Sequence, residues 1–289
     1  AAAFALPSFK SEPSKNGPAL RALTLFAPQQ RIDVAGAGAA ALGNNVARWL
    51  TALPPNRLTP AAYRHAIDEL IAPHPIKSTF LDERQLARLN AGAFLAVAQG
   101  NATRDAGIMH LRYRPSAKQH RGVALVGKGV LFDTGGTNVK PFPGMLDMHT
   151  DMQGSAVALG ALLALAQLRV PFAVDAWLAI TENRSSATAY KPQDVVHAAN
   201  GTSIQVIHTD AEGRMVLADT LALAARERPC LIIDYATLTG SCQVALTNRY
   251  AGAFANRTPA NSLLVAAGAA CGERVWPFPM DDDFDDALK

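Results

Sequence analysis

Two segments of the chain place charged side chains among apolar and glycine-rich neighbours. One covers residues 126–141 and is followed by Asp151, and the other covers residues 207–221. The charged groups lie at or just beyond the ends of predicted strands, which is where α/β proteins bind their ligands. The residues that could act together there are Lys128, Asp133, Lys140, Asp151, Asp210, Glu212 and Arg214.

The four carboxylates of this set indicate a site for metal ions. Four such groups in one pocket would repel one another and take up protons, whereas two divalent cations would neutralise them. Paired cations about 3.5 to 4 Å apart are a known hydrolytic device. Lys128 fits such a site as a neutral amine, because burial and a nearby dication both lower the pKa of a lysine. Taken singly, each residue is more often a helix cap or a salt-bridge partner, so the prediction rests on the whole set.

Three other motifs give weaker predictions. Residues 36–41 match a dinucleotide fingerprint, but no acidic residue follows them before Asp68, so we expect an Ala/Gly-rich loop. Residues 122–128 resemble a phosphate-binding loop, yet Gly129 stands where a magnesium-binding Ser or Thr is required. Residues 133–135 read Asp-Thr-Gly, as in aspartic proteases, whose chemistry needs a second carboxylate. A symmetric dimer would supply one, and this alternative stays open.

Composition and charge exclude several classes of protein. Hydrophobic residues make up 49% and charged residues 18% of the 289 residues, which excludes intrinsic disorder. The net charge of +3 is too small for a dedicated nucleic-acid binder. The longest apolar stretch, residues 157–166, is too short to span a membrane, and the N-terminal residues lack the order of a secretory signal. We therefore expect a cytoplasmic protein, whose three cysteines, without a C-x-x-C pair, are buried thiols.

The hydrophobic pattern predicts helices and strands that interleave as in a layered α/β domain. Residues 1–43 show little periodicity and are expected to be a lead-in to the folded chain. Helices are predicted at 44–51, 60–72, 82–99, 155–167, 215–226 and 259–270. Strands are predicted at 108–113, 123–126, 172–180, 203–207 and 231–235.

The charged set and its neighbours resemble the leucyl aminopeptidase family of two-metal cytosolic exopeptidases. The most specific match is the stretch TDAEGR at residues 209–214. It is supported by GKG at 127–129, FDTGG at 132–136, KP at 140–141, DM at 151–152 and ATLTG at 236–240. The resemblance covers residues 44–276 and implies an α/β fold with a mixed central sheet flanked by helices.

The resemblance implies which residues bind the metals. Asp133, Asp210 and Glu212 would bind one divalent ion. Lys128 and Asp151 would bind the other, and Asp133 and Glu212 would bridge the two. Zinc or manganese is the expected metal, with magnesium or cobalt as alternatives, because carboxylates and one amine accept all of them.

The resemblance also implies the remaining roles. Lys140 would stabilise the oxyanion, and Arg214 would hold a bicarbonate that acts as the general base. Met148 and Thr237 would line the pocket for the first side chain of a peptide with a free N-terminus. The expected assembly is a homohexamer, with neither a membrane nor a nucleic acid as partner.

Two positions depart from the family pattern. His208 stands in place of an asparagine, and His149 begins a stretch that also differs, so the resemblance does not predict the preferred N-terminal residue. For the domains, it implies that residues 1–43 are a remnant of an N-terminal domain. Residues 44–289 would be the catalytic domain without its C-terminal end. A catalytically silent scaffold or a DNA-binding relative of the same fold is the alternative, and the presence of all seven charged residues favours the enzyme.

Overall fold

In the computed structural model, which describes residues 7–11, 22, 24, 26, 33–115 and 122–288, the chain divides into two units. The larger unit ends at Thr237, and the smaller begins at Leu238. The helices of the larger unit are α1 (Val34–Thr51), α2 (Pro60–Ile71), α3 (Glu83–Arg88), α4 (Gly92–Ala98), α5 (Phe142–Met145), α6 (Gln153–Gln167) and α7 (Glu212–Arg226). Its strands are β1 (Ile76–Asp82), β2 (Gly107–Tyr113), β3 (Val123–Asp133), β4 (Val174–Asn183), β5 (Val195–His197), β6 (Ser203–Gln205) and β7 (Leu231–Tyr235).

A five-stranded mixed sheet with the order β1-β2-β4-β3-β7 forms the centre of the larger unit. Strand β3 runs parallel to both β4 and β7, whereas β2 is antiparallel to β1 and β4. β5 and β6 form a separate antiparallel pair. The predicted α/β fold with a mixed central sheet flanked by helices is thus confirmed.

Helices cover both faces of the sheet, which explains why β3 and β4 are almost continuously buried. On one face α1, α2 and α6 contribute to a core that includes Leu50, Tyr63, Ile67, Leu159 and Leu162. On the other face α4 and α7 contribute to a core that includes Phe94, Val97, Trp177, Val216 and Leu223. β3 and β4 are therefore held from both sides, and their carboxyl ends are fixed in place.

The smaller unit contains α8 (Ser241–Leu246), β8 (Ala251–Ala253), α9 (Pro259–Cys271) and β9 (Val275–Pro277). β8 and β9 pair in parallel. Within the described ranges of the chain, no helix combines the length and the apolar character that crossing a membrane requires.

Several predicted boundaries were wrong. The first helix begins at Val34, not at residue 44, and residues 36–41, expected to be a loop, lie inside it. The predicted helix at 82–99 is two helices, because Asn90 adopts a positive φ of 59° between α3 and α4. Strands β1, β5, β8 and β9 were not predicted, and β3 continues seven residues beyond its predicted end, from Val126 to Asp133. The expectation of buried thiols also fails, since Cys230 and Cys271 are exposed and Cys242 is half-buried.

Helix α1 packs closely against α6 through two glycines. A Cβ on Gly43 would lie 2.6 Å from the carbonyl oxygen of Gly160, and one on Gly160 would lie 2.4 Å from that of Gly43. The helices approach this closely only because neither residue has a side chain. Helix α1 also crosses the predicted domain boundary at residue 43, and the division into domains stays a prediction.

Replacing Gly43 with Ala is expected to lower the free energy of unfolding by about 1–3 kcal/mol, because the added methyl group has no space. The matched control is Gly38→Ala in the same helix, where a Cβ meets nothing within 4 Å. That change is expected to stabilise the chain by about 0.5–1 kcal/mol. Urea unfolding of both variants measures the difference, and equal effects would contradict the close packing of α1 on α6.

Candidate metal centre

The predicted site residues meet at the carboxyl edge of the central sheet. Asp133 is the last residue of β3, and it lies opposite Asn183, the last residue of β4. Glu212 begins α7 directly after a 3-10 turn at Thr209–Ala211, and Asp151 follows a second such turn at Met148–Thr150. The ends of the parallel strands β3 and β4 therefore form one side of the site, and the two short turns before Asp151 and Glu212 form the rest.

Lys128 lies buried within β3 between two carboxylates. Its Nζ is 2.8 Å from Asp151 Oδ2 and 2.7 Å from Glu212 Oε1, and it donates to the carbonyl oxygen of Thr237 at 2.9 Å. Burial works against the charge, but the two carboxylates outweigh it and raise the pKa of Lys128. This is the direction expected for an ammonium group among carboxylates, whereas the prediction of a neutral amine assumed a dication beside it.

Lys140 joins the other pair of carboxylates. Its Nζ lies 3.0 Å from Asp133 Oδ2 and 2.5 Å from Asp210 Oδ1. Burial lowers the pKa of Lys140, but hydrogen bonds to Asp210 and Asp133 and the charges of both raise it above its ordinary value overall. Each of the two lysines thus forms ion pairs with two of the four carboxylates.

The carboxylates nevertheless outnumber the cations facing them. Burial, only partly opposed by Lys128, raises the pKa of Asp151 to about 7. Burial also raises the pKa of Glu212, with Lys128 opposing and Asp133 adding to the effect. Four carboxylates against two ammonium groups leave an excess of negative charge, which favours added positive charge at this site.

The geometry of three carboxylates fits a metal ion. Asp133, Asp210 and Glu212 each offer an oxygen atom, and these atoms lie within 4.8 Å of one another. Carboxylate oxygens are ligands for zinc, manganese and magnesium alike. The donor set is thus suited to a divalent cation, while its choice among these metals is left open.

The loop after β3 is shaped by two glycines and anchored by a threonine. Gly135 and Gly136 have φ values of +89° and +68°, a region that favours glycine. The hydroxyl of Thr209 donates to the carbonyl of Gly135 at 2.6 Å and accepts from the backbone N–H of Asn138 at 2.8 Å. These bonds hold the loop that carries Lys140 against the turn that carries Asp210.

Three predicted residues lie at the margin of this cluster. Thr237 is exposed, yet its hydroxyl donates to Asp151 Oδ1 at 2.7 Å. Met148 is half-buried in the turn before Asp151, and Arg214 is exposed on α7 two residues after Glu212. Among the described residues, no ion pair joins Arg214 to the cluster. The roles predicted for these three residues stay predictions.

Two buried residues of the site were missed in the sequence. Asn183 reaches Asp133 and Glu212, and the hydroxyl of Tyr190 donates to the carbonyl of Thr209 at 2.7 Å. The position of Asn183 at the carboxyl end of an apolar strand was the one available signal, since ligand sites collect there. Tyr190, in a loop, gave no comparable signal.

Residues 45–289 match the family described as the cytosol aminopeptidase family, catalytic domain. Similar proteins named "Probable cytosol aminopeptidase" include one from Roseiflexus castenholzii, 41% identical over 92% of this chain and 56% of its own length. One from Geobacter sp. is 36% identical over 99% of this chain and 59% of its own length. One from Leifsonia xyli subsp. xyli is 42% identical over 86% of this chain and 49% of its own length. The chain thus spans between 49% and 59% of the length of these relatives.

Proposed function

Since the chain belongs to the cytosol aminopeptidase family, as its match to the family's catalytic domain over residues 45–289 shows, we propose that it removes N-terminal amino acids from peptides by metal-dependent hydrolysis. The observation that carries the proposal is the meeting of four carboxylates and two lysines at one edge of the sheet. Such a concentration of buried charge destabilises a fold unless it is compensated, and is typical of a functional site.

We propose that the carboxylates and Lys128 hold two divalent ions. Asp133, Asp210 and Glu212 would hold one, an assignment supported by their oxygen atoms within 4.8 Å of one another. Lys128 and Asp151 would complete the second site together with the shared carboxylates of Asp133 and Glu212. Zinc or manganese suits this set. When bound, the ions would polarise the scissile carbonyl group and the attacking water.

Lys140 would stabilise negative charge that develops on the carbonyl oxygen of the substrate. Its Nζ lies at the centre of the Asp133–Asp210 pair, and 16% of its side chain is exposed, so it can reach both the cluster and a bound peptide. A preorganised cation at this point lowers the barrier because it needs no reorientation as charge develops. We propose that Arg214, exposed nearby on α7, holds a bicarbonate that accepts the proton of the water.

The family membership also indicates the substrate class. The free amino group of the substrate would coordinate the second metal ion, so hydrolysis would be confined to the first peptide bond. Met148 and Thr237 would contact the first side chain. By the same family membership we propose a homohexamer in the cytoplasm, a location also named in the description of the relatives.

Hydrolysis of leucyl p-nitroanilide by the purified chain tests the proposal. We expect a chelator to abolish the activity and added Mn²⁺ or Zn²⁺ to restore it, because the attacking water would be activated by the metal ions. The matched control is Asp210→Ala, which removes one ligand and is expected to stay inactive with either metal. Activity that survives chelation, or none with any metal, would contradict the proposal, and the latter would favour a silent scaffold.

A further inference from the structure

One neutral side chain connects three of the segments that carry candidate metal ligands. Asn183 is completely buried at the end of β4. Its Nδ2 donates to Asp133 Oδ1 at 2.8 Å and to the carbonyl oxygen of Thr209 at 3.1 Å, and it lies 3.5 Å from Glu212 Oε2. A single amide group thus contacts the end of β3, the turn before α7 and the first residue of α7.

The orientation of this amide is fixed by its neighbours. All three groups around Nδ2 are acceptors, so the nitrogen, and not the oxygen, must face them. On its other side Oδ1 is buried and, within the described part of the chain, accepts no hydrogen bond. A Cβ on Gly136 would lie 3.0 Å from this oxygen, so the glycine loop after β3 leaves just enough space for the amide.

Asn183 differs from the two lysines in how it holds the carboxylates. Lys128 and Lys140 attract them as cations, and a cation competes electrostatically with a metal ion for the same oxygens. An amide carries no net charge, so it can hold one oxygen of a carboxylate while another lone pair binds a metal. Hydrogen bonds of this kind, made to the side of a ligand that faces away from the metal ion, fix the orientation of the ligand.

We propose that Asn183 is a positioning residue, which holds the carboxylates of Asp133 and Glu212 at the separation that metal binding requires. The proposal rests on the proposed function, because it assumes that these two carboxylates are metal ligands. A merely structural role for Asn183 would affect the stability of the fold and leave the affinity for metal unchanged.

Titration of the purified chain with Mn²⁺ in a calorimeter tests the proposal. Asn183→Leu keeps the approximate size of the side chain and removes the donor. We expect it to weaken Mn²⁺ binding about 10- to 100-fold, the usual effect of losing a hydrogen bond to a metal ligand. Asn183→Ala is the second variant, with the same expected direction, if the leucine does not fit.

The matched control is Asn101→Leu. Asn101 is also buried and also donates its Nδ2 to a residue of β4, the hydroxyl of Thr181 at 3.1 Å, but it touches no candidate ligand. We expect this control to lose thermal stability and to keep its affinity for Mn²⁺. A wild-type affinity in either Asn183 variant would overturn the positioning role and leave the proposed function intact. Failure of the unaltered chain to bind Mn²⁺ would instead overturn the proposed function, and this proposal with it.

Discussion

An Asp133→Asn variant is expected to hydrolyse leucyl p-nitroanilide about 10³-fold more slowly than the unaltered chain, or slower still. Asp133 is one of the two carboxylates that both proposed metal ions would share, and its second oxygen faces Lys140 at 3.0 Å. The amide has nearly the same shape but no charge, so it can neither bridge two cations nor pair with the lysine. Measurement of kcat/KM together with the bound metal content checks the prediction.

A carboxylate outside the site provides the control for that experiment. Asp68 is exposed on α2 and accepts a hydrogen bond from Ser78 at 3.3 Å. Asp68→Asn is therefore expected to keep both the activity and the metal content. If Asp133→Asn retained two metal ions and more than about a tenth of kcat/KM, Asp133 would not be a shared ligand.

Replacing Lys128 with methionine is expected to destabilise the metal-free chain by about 3–5 kcal/mol. The ammonium group of Lys128 is the cation between Asp151 and Glu212, and all three side chains are buried. Methionine fills the space but leaves two buried carboxylates without a counter-charge. Urea unfolding in the presence of a chelator measures the loss.

Neutralising Asp151 and Glu212 as well separates the effect of the lost charge on stability from the effect of altered packing. The triple variant Lys128→Met, Asp151→Asn, Glu212→Gln removes the lysine together with both carboxylates and preserves the volumes. It is expected to recover most of the lost stability, because an apolar or neutral replacement of a whole buried ion pair is often tolerated. A loss of less than about 1 kcal/mol in the single variant would contradict the stabilising role of the ammonium group, because it would show that the two carboxylates take up protons at little cost.

Strands β1 and β7 lie at opposite edges of the sheet, and the sequence predicted only one of them. Strand β7 has its predicted bounds, Leu231–Tyr235, because it begins with the apolar run LII shortly after Pro229. Strand β1 was missed, since its sequence IKSTFLD has neither a regular alternation nor a continuous apolar run. The local pattern, and not the position in the sheet, decided which of the two strands could be predicted.

Helical periodicity did not predict the beginning of α1, because the residues there differ too little in hydrophobicity to form an apolar stripe. Residues 34–43 contain mostly alanine and glycine, so no apolar stripe identifies the beginning of α1. The break at Asn90 was equally hidden, because the apolar spacing continues across it and asparagine is one of the residues that tolerate a positive φ. In both places tertiary packing, not local pattern, decides the structure.

The charged members of the site could be located in the sequence because charge is rare among apolar strands. Asn183 could not, since asparagine is an ordinary residue at strand ends and in turns. Its importance arises from register, which sets Asn183 opposite Asp133. Spacing along α7 likewise placed Arg214 near Glu212 but did not determine which way its side chain points.

The ion pairs of Lys128 and Lys140 determine whether the chain can fold before it binds metal ions. Many small metalloproteins cannot fold until their metal arrives, because nothing else compensates the ligands. Here each carboxylate of the cluster already faces an ammonium group of the same chain. Folding can therefore precede metal acquisition, and the identity of the bound metals would then depend on which ions the finished protein encounters, not on which were present during synthesis.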